Sequence, residues 1–143
     1  MKYKAGYKYQ LFEKFICPVS IRISKIISLP PYLSMEPILN DGVPSHKSLL
    51  SIYKGYAWDG ASGPTFDTKN SMRGSLVHDA LYQLMREEKL PLKWRKQADK
   101  ELERICVDAG MSKIRAKIWY WAVRKIAGFG ARPGYARKVL TAP

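Results

Sequence analysis

The period at which apolar residues recur changes once along this chain, and that change limits the fold more than any other feature. Before about residue 56 the pattern is strand-like, as in "VSIRISKI", where Val19, Ile21, Ile23 and Ile26 are set against Ser, Arg, Ser and Lys. A period of two places alternate side chains on one face of an extended strand. Beyond residue 71 the period becomes helical, and "WDGASGPTFDTKN" (58–70), dense in Gly, Asp, Ser and Pro, separates the two regimes. Strands first and helices after predict an α+β fold: short N-terminal β-strands, then an antiparallel helix pair and a third, basic amphipathic helix.

Within the first regime, residues 29–47, "LPPYLSMEPILNDGVPSHK", hold four prolines and an Asp-Gly pair. These are turn formers, so loop with at most a short strand is expected there. "SLLSIYKGYAW" reads as a further strand ending at Gly55 or Trp58. The first helix is expected over 71–89, with Leu76, Val77, Leu81, Leu84 and Met85 as its apolar stripe and Pro91 past its end. The second is expected over 92–109, burying Ala98, Leu102, Ile105, Cys106 and Ala109 before a stop at Gly110. The third starts from Ser112 as N-cap and runs to about Gly128, turning Ile114, Ile118, Trp119, Ala122, Val123 and Ile126 inward. At 143 residues these elements suit a single domain: a β-rich part (1–56), the loop (57–70), the helices (71–128) and a basic tail (129–143).

Charge is uneven. The net charge is +13, and no acidic residue follows Asp108, whereas Lys113, Arg115, Lys117, Arg124, Lys125, Arg132, Arg137 and Lys138 do. A one-signed segment of this kind attracts phosphate, in nucleic acid or on an anionic lipid surface. The cations are interleaved with Trp119, Tyr120, Trp121, Phe129 and Tyr135, which suits either base stacking or a helix lying in a lipid interface. The plainer interpretation makes Trp119 core and Trp121 a rim residue. No run of about 18 apolar residues exists, so no transmembrane segment is expected. The basic N-terminus lacks the apolar run and cleavage site of a signal peptide. Cys17 and Cys106 form neither a metal-ligand pair nor a disulfide framework, and are expected as buried apolar residues in a reducing compartment.

Chemistry concentrates in "GSLVHDALYQL" (74–84). On a helix His78 and Tyr82 lie one turn apart on one side, and Asp79 is three residues before Tyr82. On the second helix Asp99 sits next to Ala98 and one turn before Leu102. A short Pro91-containing turn makes the two helices antiparallel neighbours, and His78 and Asp99 then come level. A histidine with an aspartate partner is an oriented base, while Asp79 is a hard oxygen ligand for a cation. The same residues also make a buried hydrogen-bond network with no catalytic role, and the residues alone leave both open. Ser62 is a poor nucleophile candidate, because no Gly-x-Ser-x-Gly elbow surrounds it. A His–Asp metal phosphohydrolase would need more histidines than His46, in "VPSHKS", can add.

Two resemblances sharpen this. "YAWDGASGP" followed by "LVHDALYQL" resembles domain-of-unknown-function family 1353 of phages and prophages, with Asp59, Ala61, Ser62 and Pro64 matching its loop, over roughly residues 49 to 128. That resemblance implies a phage or prophage setting, in the host cytoplasm or a virion, with other virion proteins as partners. The arrangement also looks like the active site of secreted phospholipases A2: a Gly-rich calcium loop, a His-Asp-x-x-Tyr helix, and an antiparallel helix bearing another aspartate. The likeness implies His78 as the base that deprotonates water, Asp99 as its orienting partner and Tyr82 as a brace on Asp99. It implies calcium as cofactor, held by Asp79 with carbonyls of Trp58, Gly60 and Gly63 in the loop that also carries Asp59. Leu81 and Ala98 stand where that superfamily places a bracing cysteine. The implied activity is calcium-dependent ester hydrolysis, and the basic face of the third helix adds an anionic membrane surface as its expected place of action. The alternative is a non-catalytic assembly or nucleic-acid-binding protein using the basic helix.

Overall fold

The computed structural model describes residues 3–4, 9–58, 69–126 and 131, of which Tyr3, Lys4 and Ile126 by backbone alone. The chain divides into two compact units at the boundary between Ala57 and Trp58. N-terminal antiparallel strands followed by helices make the fold α+β.

The strands of the first unit are β1 (Tyr3–Lys4), β2 (Tyr9–Leu11), β3 (Phe15–Val19), β4 (Ile27–Leu29), β5 (Leu33–Asn40) and β6 (Val43–Ile52), with β7 (Ala57–Trp58) at the unit boundary. One sheet has the order β1-β2-β7, the other β3-β6-β5-β4. In the second sheet Asn40 pairs with Val43, leaving Asp41 and Gly42 as a two-residue turn. Both take positive φ, 49° and 79°. That turn matches the twist of the flanking strands, which is why an Asp-Gly pair closes a hairpin well.

Residues 29–47 are therefore not a loop: they contain β5 and begin β6, the two longest strands. Their prolines sit where a missing N–H is tolerated. Pro37 borders the register shift that interrupts the β5–β6 ladder, and Pro44 lies beside the turn, opposite Leu39. The expected strand over 19–26 is also displaced. The ladder ends at Val19, although Val19, Ile21 and Ile23 are still buried and only Ile26 is exposed. β3 and β4 are the outer strands, β3 carrying Pro18 and β4 only three residues long. Leu11, Leu33, Met35, Leu50 and Ile52 are fully buried in this unit.

The second unit holds α1 (Lys69–Arg86), a 3-10 turn (Leu92–Trp94), α2 (Arg95–Asp108) and α3 (Lys113–Ile126). The expected stripe of α1 is too narrow a description, because every residue from Gly74 to Arg86 is buried. The helix ends three residues before Lys89. Glu88 takes φ 59°, and the N–H groups of Lys89 and Leu90 both donate to the Leu84 carbonyl. α2 stops at Gly110, φ 105°, with the Met111 N–H returning to the Cys106 carbonyl at 2.9 Å. Ala109, expected inside, lies past the last turn and is exposed.

Leu102 and Cys106 of α2 pack with Met111 and with Ala116, Trp119 and Val123 of α3 in one cluster. Burial pushes the Cys106 thiol up to about 12, far from the range in which it would react. Ser112 caps α3 as expected, its Oγ accepting from the Arg115 N–H at 3.2 Å. The inward face of α3 is Ala116, Trp119, Tyr120 and Val123, spaced i, i+3, i+4 and i+7. Ile114 and Ile118 lie opposite it, 77% and 51% exposed, so the expectation that they face inward is corrected. Among the described residues no helix is long and apolar enough to cross a membrane.

Candidate functional site

α1 and α2 run antiparallel: Gly74 lies against Leu102 and Cys106, and four residues later His78 meets Asp99. The close approach is possible because position 74 has no Cβ. One placed there would stand 2.7 Å from the Cys106 Sγ and 3.1 Å from the Leu102 carbonyl oxygen. Gly74 thereby sets the helix spacing that brings the polar residues of α1 onto Asp99.

Asp99 is fully buried and its carboxylate accepts from three side chains. His78 Nε2 and Tyr82 Oη each lie 2.6 Å from Oδ1, and Arg124 Nη1 lies 2.8 Å from Oδ2. Burial alone would raise the Asp99 pKa. The hydrogen bond and charge of His78, with the hydrogen bonds of Tyr82 and Arg124, outweigh burial and hold the carboxyl below its ordinary value. The Tyr82 phenol moves the other way. Burial first, then the charge and hydrogen bond of Asp99, raise it well above its ordinary 10.0 against the pull of Arg95. The donors are thus assigned: Tyr82 gives its O–H to an ionised Asp99, and a neutral His78 must carry its proton on Nε2. Nδ1 then presents a lone pair, and it has no hydrogen-bond partner among the described residues. The imidazole and phenol rings stack obliquely with centroids 4.1 Å apart.

The expected triangle of His78, Tyr82 and Asp99 is present, and two arginines complete it. Arg95 Nε donates to Tyr82 Oη at 3.1 Å, while its Nη2 donates to the carbonyls of Val123 and Arg124 in the last turn of α3. Arg124 was expected among the phosphate-binding cations of the outer face. It is instead paired with Asp99, with only 26% of its side chain exposed. Arg95 had a legible signal, since it stands four residues before Asp99 on the same face of α2. The α3 partnership depends on tertiary packing and leaves no trace in local spacing.

The remaining candidates are placed unevenly. Asp79 is buried and engaged in an interaction of its own. Trp58 is fully buried, its Nε1 donating at 3.2 Å to Ser75 Oγ, which donates to the Met72 carbonyl at 2.9 Å. Residue 58 is thereby anchored one helical turn from His78 and Asp79. Asp59, Gly60, Ser62 and Gly63, and also Arg132, Arg137 and Lys138, lie outside the described residues. Lys117 is tied to Glu103 at 2.9 Å, Arg115 is half-buried, and Lys113 and Lys125 are exposed. His46 is exposed on β6.

Among the described residues no group of three or more His, Cys, Asp or Glu side chains could hold a metal. Asp79 and a backbone oxygen of Trp58 are too few for calcium, which takes six to eight oxygens, so the described residues do not complete a calcium site.

No curated protein and no solved structure matches the chain. Residues 43–123 match the model of a family described as protein of unknown function, DUF1353. That span runs from the start of β6 to the last turn of α3 and includes His78, Asp79, Tyr82, Arg95 and Asp99, so the chain belongs to the DUF1353 family.

Proposed function

We propose that the chain is a phospholipase A2-like ester hydrolase in which His78 is the general base and Asp99 its positioning partner. A single observation carries this: His78 Nε2 lies 2.6 Å from Oδ1 of the fully buried Asp99, an arrangement in which a neutral ring keeps its proton on Nε2 and offers Nδ1 as the acceptor. A water on Nδ1 would lose its proton to the ring as its oxygen bonds to the ester carbonyl carbon. The imidazolium so formed is stabilised by Asp99 and returns the proton to the departing alkoxide as the acyl C–O bond breaks. Tyr82 and Arg124 hold Asp99 in place, and Arg95 holds Tyr82.

Calcium belongs to the same proposal, with Asp79 and the carbonyls of Trp58, Gly60 and Gly63 as its ligands. When bound it would stabilise the developing oxyanion. The pairing of His78 with Asp99 does not depend on it. The phage or prophage setting and the anionic membrane as substrate surface are likewise proposed.

Release of fatty acid from phospholipid vesicles, with and without calcium, tests the hydrolase. His78→Gln should lower the rate per folded molecule by about 10²–10⁴-fold, whatever it does to the thermal midpoint. Equal activity in that variant, or none in the parent protein with calcium present, refutes it. Calcium calorimetry on the parent and on Asp79→Asn tests the ligand assignment, with saturable binding expected in the parent alone.

A second reading is favoured by Arg95, which joins Tyr82 to the end of α3 and so makes the cluster a tie across three helices. In a non-catalytic assembly protein the same residues would serve stability only. The parent protein would then release no fatty acid, and His78→Gln would act on the thermal midpoint alone.

A further inference from the structure

We propose that the outer face of α3 is a docking surface for an anionic lipid bilayer. α3 has two apolar faces where a surface helix needs one. Ala116, Trp119, Tyr120 and Val123 fill the inward face. On the opposite side Ile114, Ile118 and Trp121 are 77%, 51% and 57% exposed. At 100° per residue these three and Lys125 fall within a sector of about 60°. Exposed apolar residues scattered singly need no explanation, but three aligned on one helix face do.

Charge selects the partner. α3 contains no acidic residue; Lys113 and Lys117, the latter paired with Glu103 of α2, flank one edge of the stripe while Lys125 continues it. A groove of about 680 Å³ between α2 and α3 shares Lys113, Lys117 and Trp121 with this face; Lys96 and Lys100 also line it, with Glu103 and Asp108 as its acids. Cations around an apolar stripe fit phosphate headgroups above acyl chains. Trp121 suits that boundary, and its ring is braced edge-on by Tyr120 with centroids 5.2 Å apart. Nucleic acid fits less well: bases stack on flat rings, and two branched isoleucines of the stripe would face water or phosphate.

The inference supplies a membrane for the proposed hydrolase but rests on α3 alone. Flotation is therefore measured in chelator, without turnover, using vesicles of phosphatidylcholine and phosphatidylglycerol in equal parts. The intact protein should float with them, weakly with phosphatidylcholine alone, and less as salt rises. Replacing Ile114, Ile118 and Trp121 together by Ser should lower partitioning by about tenfold or more, with little change in thermal midpoint. The Lys113→Glu, Lys125→Glu pair should weaken it too, which tests the face without removing apolar surface. The proposal is overturned by a parent protein that stays unbound or by both variants floating like the parent. It is also overturned by a solution dimer that the triple variant dissolves, or by binding confined to oligonucleotides. Loss of flotation with hydrolysis of a soluble ester retained would remove the membrane inference alone; flotation without hydrolysis would remove only the enzyme.

Discussion

Asp99 fills its two oxygens with three donors, and removing one of them separates a brace from a base. Tyr82→Phe takes away the Tyr82 bond to Asp99 and leaves Arg95 Nε without its acceptor. We expect a loss of about 1–3 kcal/mol at neutral pH, read by urea denaturation. The loss should shrink in alkali. The Tyr82 pKa is raised in the folded state, so above its ordinary 10.0 the unfolded chain releases a proton that the folded chain keeps. That release draws the parent toward unfolding as pH rises, and the phenylalanine variant lacks it. The stability gap between the two proteins should therefore narrow from pH 10 upward. A constant gap would mean that the phenol is not held by Asp99.

At the scale of elements, the contact of α1 with α2 turns on Gly74. Alanine there should gain about 1 kcal/mol of helix propensity. It should lose about 1–3 kcal/mol to overpacking, because the Leu102 carbonyl behind the contact is backbone and yields little. We expect net destabilisation, and partial recovery when Cys106→Ala is added, both read from thermal midpoints. The helices were legible because caps and stops act locally: Ser112, Gly110 and the helical period define their ends. The His78–Asp99–Tyr82 triangle was legible for the same reason, since a short turn fixes the register of two helices. Residues 29–47 were not, because proline-rich composition speaks for a loop unless the ladder places each proline at a defect. Nor was the face of α3. Trp119 and Val123 share it with Ala116, a residue too small to mark a stripe, while Ile114 and Ile118 on the opposite side looked like core.

Across the whole molecule, the span that matches the family model cuts through the first compact unit. It begins at Val43, keeping β6 but omitting β3 and β5, the strands that pair with it on either side. It also stops one residue before Arg124, a donor to Asp99. A fragment of residues 43–123 should therefore lack cooperative thermal unfolding and be cut rapidly by protease, in contrast to the full chain. A cooperative transition in the fragment would show that the helical unit folds without Arg124.

The outer strands of the four-stranded sheet carry a different consequence. Pro18 removes one N–H from β3, and β4 offers only three residues. A strand from another molecule would find few partners along either border. Fibril growth by edge addition is thereby discouraged, and concentrated stocks of the protein should resist seeding into amyloid.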